Sequence, residues 1–187
     1  RLEANDLSDK FSFFHKKAID LARAAIDKTQ KNVLIAGCLP PLVWSYRPDK
    51  APDYEKCVEL YLQIVGEQEQ FVDLFICETM ASLKEAKAAV DAAKTSGKTV
   101  WCGLTLEDNE NCELRSGEKL LDSVRELQSF GQEEFLLNCS FPEAINSGIT
   151  ILSQNTKFFG GYANGFTSIE PLKTASNVSV LSARTDL

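Results

Sequence analysis

Five apolar, strand-like runs alternate with segments of helical period almost from end to end of this chain, and that alternation constrains its fold more tightly than any other feature. The runs cover residues 33–39, 72–79, 99–106, 134–139 and 158–163. Between them, apolar residues recur at i, i+3, i+4 and i+7, the spacing of one helix face. Phe14, Ala18, Leu21, Ala22 and Ala25 mark the first such face, and Tyr54, Val58, Tyr61, Leu62 and Val65 repeat its pattern. Leu83, Ala86 and Val90 follow, opened by a capping box at Ser82 and Glu85. Leu120, Leu121, Val124 and Leu127 make a fourth face, and Ile145, Ile149 and Leu152 a fifth. Gly97 stands where a helix C-cap glycine belongs. The runs are too apolar to face water on one side, so a parallel sheet covered by helices is expected.

Which parallel fold is decided by what is missing. No G-x-G-x-x-G or Walker-type phosphate loop opens any helix. A (β/α)8 barrel is the better expectation, yet such barrels need about 250 residues and this chain has 187. The chain reads as part of a barrel, a single domain over residues 1–187, opening with a helix and closing in a polar, loop-like tail over 167–187. A net charge of −7, with no Lys/Arg-rich block, argues against nucleic-acid and anionic-membrane surfaces. No apolar run approaches the roughly 18 residues of a membrane span. Six cysteines are scattered without a C-x-x-C pair, and four of them (Cys38, Cys77, Cys102, Cys139) fall in or at the end of strand-like runs. That pattern fits reduced thiols in a cytoplasmic protein.

In a parallel barrel the chemistry sits at the C-terminal ends of the strands. The run Phe135-Leu-Leu-Asn-Cys-Ser-Phe-Pro-Glu143 delivers Cys139 to such an end. Ser140 and Glu143 have capping-box spacing, so a helix is expected to start directly after the cysteine, with its dipole favouring the thiolate. The competing reading is a buried core cysteine. Glu78 follows the apolar run Asp73-Leu-Phe-Ile-Cys77 and reads as a ligand for a substrate amine or hydroxyl, as a general base, or as an acid at a helix entry. Asn138, Tyr162 and Asn164 could bond substrate or turn backbone. Glu107, Asp108 and Asp122 read as solvated loop charges, and His15, the only histidine, as an exposed one.

Taken in order, these strand ends resemble the homocysteine S-methyltransferase family. Ala36-Gly-Cys-Leu-Pro-Pro-Leu-Val-Trp-Ser-Tyr-Arg-Pro-Asp49 is similar to that family's G-S-L-P-P-L-x-x-S-Y-R-P-D, with Cys38 in place of Ser. Asp73-Leu-Phe-Ile-Cys-Glu-Thr-Met-Ala-Ser82 resembles its D-x-x-x-x-E-T-M-x-S. Thr105-Leu-Glu-Asp108 with Leu114-Arg-Ser-Gly-Glu118, then Asn138-Cys139, then Tyr162-Ala-Asn164 follow in family order.

The resemblance implies a zinc-dependent (β/α)8 barrel that methylates homocysteine to methionine, with small-molecule partners only: homocysteine and an onium donor such as S-methylmethionine or S-adenosylmethionine. It makes Cys139 the first of three thiolate zinc ligands and Glu78 the residue that meets the homocysteine amino group. Asn138 and Asn164 join the substrate site. The family's Gly-Gly-Cys-Cys and its early Asp-Gly-Gly loop have no counterpart here. The visible strands then correspond to about the third to the seventh, and the chain reads as an internal fragment. A catalytically silent barrel piece acting as a binding or scaffold module is the alternative, because one thiolate makes no zinc site.

Overall fold

The computed structural model describes Leu2, residues 5–173 and residues 183–185. After a long first helix, α1 (Phe11–Thr29), strands and helices alternate strictly: β1 (Ala36–Leu39), α2 (Tyr54–Gln68), β2 (Leu74–Met80), α3 (Leu83–Lys94), β3 (Val100–Leu104), α4 (Leu120–Ser129), β4 (Glu134–Asn138), α5 (Pro142–Asn155) and β5 (Phe158–Tyr162). All four strand pairings are parallel, and the order in the sheet is the order in the chain. A doubly wound sheet would reverse its order at a switch point; sequential order with every crossover on one side is the wall of a barrel.

Helices α2 to α5 back one face of this wall. Phe75, Cys77, Val100, Cys102, Leu104, Phe135 and Leu137 point into that layer and are buried against Val65, Ala86, Val90, Val124 and Leu152. The tightest fit is at Gly148 of α5, where a Cβ would lie 2.5 Å from Leu137 Cδ1. Only glycine lets this helix sit so close to β4. The alternate positions, Ala36, Cys38, Ile76, Glu78, Trp101, Leu136 and Tyr162, face the side that would be a barrel interior and stay half-buried or exposed. The wall is curled: Tyr162 of β5 hydrogen-bonds Glu78 of β2 across two intervening strands. Three strand spacings in a flat sheet would separate them by about 14 Å.

Several expectations from the sequence need correction. The strand over 33–39 shortens to Ala36–Leu39, and Val33 and Leu34 are exposed. The apolar stripe of α1 is mostly not buried either: Ile19 is its one buried residue, while Phe14 and Leu21 are exposed. Both have one cause. No described strand pairs with the outer edge of β1, so α1 packs chiefly on α2 and leaves an open cavity against Ile35, Ala36 and Cys38. His15 is half-buried rather than free, with its ring against Phe11 and Nδ1 3.2 Å from Gln68 Nε2. The tail contains a short helix, α6 (Glu170–Lys173), and a bridge between Phe166 and Ala183; residues 174–182 and 186–187 lie outside the described residues. No helix among the described residues is long and apolar enough to cross a membrane.

Candidate functional site at the strand ends

Cys139 is the first residue beyond β4, and its backbone is left-handed, with φ +57°. The helix does not follow directly: α5 opens at Pro142 with Phe141 as its N-cap. The expected capping box at Ser140 and Glu143 therefore does not form. Ser140 is instead fully buried between β3 and β4, where its Oγ accepts from Leu106 N at 2.8 Å and lies 3.1 Å from Leu106 O. Two backbone groups left over at the end of a strand need partners in the interior, and that demand outweighs a solvent-side cap. Glu143 pairs with Arg184.

Of the six non-glycine residues with left-handed backbone among the described residues, three converge on one sulfur. Thr79 (φ +62°) lies at the irregularity that shifts the register of β2 between Cys77 and Met80, and its Oγ1 is 3.3 Å from Cys139 Sγ. Tyr46 (φ +67°) stands beside the same sulfur. Burial, followed by the neighbouring Cys139, raises the Tyr46 phenol well above its ordinary range, so it remains a donor. A strained backbone costs of order 1–3 kcal/mol per residue and clusters where function requires it.

The backbone of Cys139 is held as firmly. Its carbonyl accepts from Arg115 Nη2 at 3.3 Å and Asn164 Nδ2 at 3.2 Å, and its N–H donates to Tyr162 O at 3.2 Å. The Arg115 side chain is 1% exposed, pairs with Asp108 at 3.2 Å, donates to Thr105 Oγ1 and lies over the Tyr46 ring. Asp108 in turn accepts from Phe141 N. Asp108 is thus no solvated loop charge but the counter-ion of a buried guanidinium, and an unpaired one would be costly.

Glu78 projects from β2 onto the open face. Tyr162 Oη donates to its Oε1, and Cys38 Sγ lies 3.3 Å from its Oε2. Cys38 is exposed at the sheet edge, yet desolvation of its sulfur, followed by the charge of Glu78, pushes the thiol up to about 12. Burial and then the bond to Glu78 raise the Tyr162 phenol, so both neighbours keep their protons. Between Glu78 and Cys139 stands Asn138, 0% exposed, whose Nδ2 lies 2.8 Å from Thr79 Oγ1, 3.0 Å from Tyr162 Oη and 3.3 Å from Cys139 Sγ. Its Oδ1 has no hydrogen-bond partner. Gly103 makes the room: a Cβ there would lie 3.2 Å from that oxygen and 3.1 Å from Cys77 O.

The structure thus brings Glu78, Asn138 and Cys139 together and sets Asn164 on the Cys139 backbone, with its Oδ1 accepting from Phe166 N. Reasoning from sequence did not single out Tyr46, Arg115, Cys38 or Gly103 as site residues. Their signal was present only as position, since Tyr46 lies inside Ser45-Tyr-Arg-Pro-Asp49 and Arg115 inside Leu114-Arg-Ser-Gly-Glu118. Cys77 and Cys102 are register neighbours, fully buried on the helix side, with thiols raised by desolvation. No three His, Cys, Asp or Glu side chains among the described residues are grouped to hold a metal ion. The donor set offers a zinc ion one sulfur, and the chain's own residues do not complete a zinc centre.

The sequence profile of the family described as homocysteine S-methyltransferase matches residues 1–182. No individually curated protein matches the chain by sequence. Solved structures of the homocysteine methyltransferase MmuM from Escherichia coli are similar in fold at 21% identity. The metallated form has a TM-score of 0.76 over 92% of this chain and 65% of its own. The oxidized form gives 0.74 over 93% and 64%, and the apo form 0.70 over 83% and 61%. The chain therefore spans less than two thirds of the solved chains it matches. At that identity the likeness speaks for the fold, an α/β barrel wall of five parallel strands.

Proposed function

Because the chain belongs to the homocysteine S-methyltransferase family, we propose that it forms the third to seventh strands of a single barrel domain that transfers a methyl group from an onium donor, S-methylmethionine or S-adenosylmethionine, to the sulfur of homocysteine. One observation carries the reading: a sulfur on strained backbone and a strand-end carboxylate lie in the same mouth, joined through a single buried side chain, Asn138.

In this reading Cys139 is one thiolate ligand of a zinc ion whose other ligands belong to sequence outside these 187 residues. Zinc bound there would supply deprotonation of a thiol at neutral pH. The rest is the work of this chain. Arg115 and Asn164 clamp the Cys139 carbonyl, so the sulfur keeps one direction. Glu78 receives the substrate ammonium and turns the substrate sulfur toward Cys139, a positioning effect. Asn138 and Asn164 serve the substrate site through the groups they hold. Both partners are small molecules, and neither a nucleic acid nor a membrane takes part. Six unpaired cysteines fit a reducing compartment, the cytoplasm.

The test is methylation of homocysteine by the protein expressed from its natural gene. Glu78→Gln is expected to raise the KM for homocysteine roughly ten- to hundredfold, the worth of a charge-assisted hydrogen bond. Cys139→Ala is expected to abolish metal retention and activity together. Methyl transfer that survives loss of the metal overturns the reading. A second reading, a catalytically silent binding module, is favoured by the single metal-ligating sulfur at this mouth among the described residues; it wins if the wild-type protein binds homocysteine and never methylates it.

A further inference from the structure

The contacts of Asn138 have a direction as well as a geometry. A primary amide offers two N–H groups and one carbonyl. In this structure the nitrogen faces two hydroxyls, Thr79 Oγ1 at 2.8 Å and Tyr162 Oη at 3.0 Å, and lies 3.3 Å from Cys139 Sγ itself. Each hydroxyl that accepts from the amide has a single proton to pass on. Thr79 directs its proton at Cys139 Sγ, and Tyr162 directs its own at Glu78 Oε1. The result is a fork, amide to hydroxyl to acceptor, with its two prongs ending on the proposed metal ligand and on the proposed ammonium ligand.

The reverse orientation is worse. With the amide turned over, Oδ1 would draw both hydroxyl protons inward, and Cys139 and Glu78 would each lose a donor. The observed orientation leaves one buried carbonyl oxygen unpaired over Gly103. A buried polar group without a partner is costly, so the orphaned oxygen calls for a compensating gain on the nitrogen side. The fully buried, unpartnered Oδ1 is the mark of an amide held for what its nitrogen does.

Resting on the reading of Cys139 and Glu78 given above, we propose that Asn138 is a positioning residue that fixes hydrogen-bond polarity at both ends of the site, acting on the sulfur directly and through Thr79 and on the carboxylate through Tyr162. The Glu78 side of the fork has a further consequence. Tyr162 occupies Oε1, and among the described residues Oε2 is met only by the weak donor Cys38. The ammonium of an amino-acid thiol therefore lands at Oε2, displacing the thiol contact.

The decisive variant is Asn138→Asp, which keeps the shape and replaces two donors by acceptors. The probes are L-homocysteine and its amine-free analogue 4-mercaptobutanoate, both used with the protein expressed from its natural gene. Tyr162→Phe cuts one prong: the KM for homocysteine rises about tenfold and that for the analogue stays put. Thr79→Val cuts the other: kcat falls for both thiols while the KM for homocysteine holds within about twofold. Asn138→Asp produces both effects, and adding Tyr162→Phe to it raises the homocysteine KM no further. An Asn138→Asp protein that changes only one parameter, or whose effect adds fully to that of Tyr162→Phe, overturns the fork.

A measurement that needs no turnover keeps the two claims apart. In 15N NMR spectra Tyr162→Phe is expected to deprotect one Asn138 side-chain amide proton and Thr79→Val the other. Both variants moving the same proton, or neither moving any, overturns the fork whatever the activity. A wild-type protein that leaves homocysteine unmethylated but shows the two-proton pattern overturns the functional reading alone.

Discussion

Cys77 and Cys102 lie on the face of the sheet that helices cover; Cys38 and Cys139 belong to the face left open and to its rim. The residue type is the same and the surroundings differ. On the covered face the two thiols are fully buried in the same core as Phe75, Leu104 and Phe135, where desolvation raises them and no hydrogen bond to either sulfur is made among the described residues. At the open face each sulfur has a specific polar neighbour, Glu78 for Cys38 and Thr79, Tyr46 and Asn138 for Cys139. The covered face also keeps ordinary strand geometry, whereas the mouth stores strain at Tyr46, Thr79 and Cys139. Packing is built on one side of the wall and the proposed site on the other, and the strands that carry both differ only in which alternate residues are read.

The sharpest way to break this comparison is to remove a large side chain from each face. Phe135→Ala on the covered face is expected to cost about 3–5 kcal/mol by urea unfolding. Tyr162→Phe at the mouth is expected to stay within about 2 kcal/mol, the worth of the two hydrogen bonds of its hydroxyl. Equal losses would erase the distinction. A finer probe uses one substitution twice. Cys77→Ser buries a hydroxyl with no partner at a cost of about 1–3 kcal/mol, while Cys38→Ser at the exposed edge is expected to stay within about 0.5 kcal/mol. The smallest effect concerns the edge beside α1. Burial lowers the pKa of His15 against the opposing pull of Glu67, so the fold prefers the neutral ring. Stability from this residue is therefore complete above the unfolded value of 6.5 and declines as pH falls from there toward the folded value. His15→Gln should flatten that part of a pH series of melting temperatures.

The alternation of strands and helices was legible because apolar runs and helical stripes report burial between layers. Where a layer is missing, the same signal misleads. Phe14 and Leu21 have helical spacing and Val33 and Leu34 have strand character, yet no described element covers them. Glu78, Asn138 and Cys139 were legible as candidates because each stands at the C-terminal end of a strand. Their shared network was not, since it spans β2, β4 and β5 and depends on the curl of the wall. The Asp108–Arg115 pair reads as loop charge in a sequence, because only the fold shows that the guanidinium is buried. Ser140 and Glu143 matched a capping box by spacing alone, and the spacing could not report the unpaired Leu106 backbone that claims Ser140. Positive φ at Tyr46 and Thr79 left no trace either, for neither residue type announces it.

The most direct test of the account is a paired measurement on Cys139→Gly, with bound zinc counted per chain and stability followed by thermal unfolding, both in the protein expressed from its natural gene. Glycine accepts the left-handed backbone without strain, so with metal-free forms compared the variant is expected to match the wild type or exceed it by about 1 kcal/mol, together with complete loss of metal binding. A variant that melts several degrees lower while keeping its zinc would show Cys139 to be a packing residue and would contradict the account.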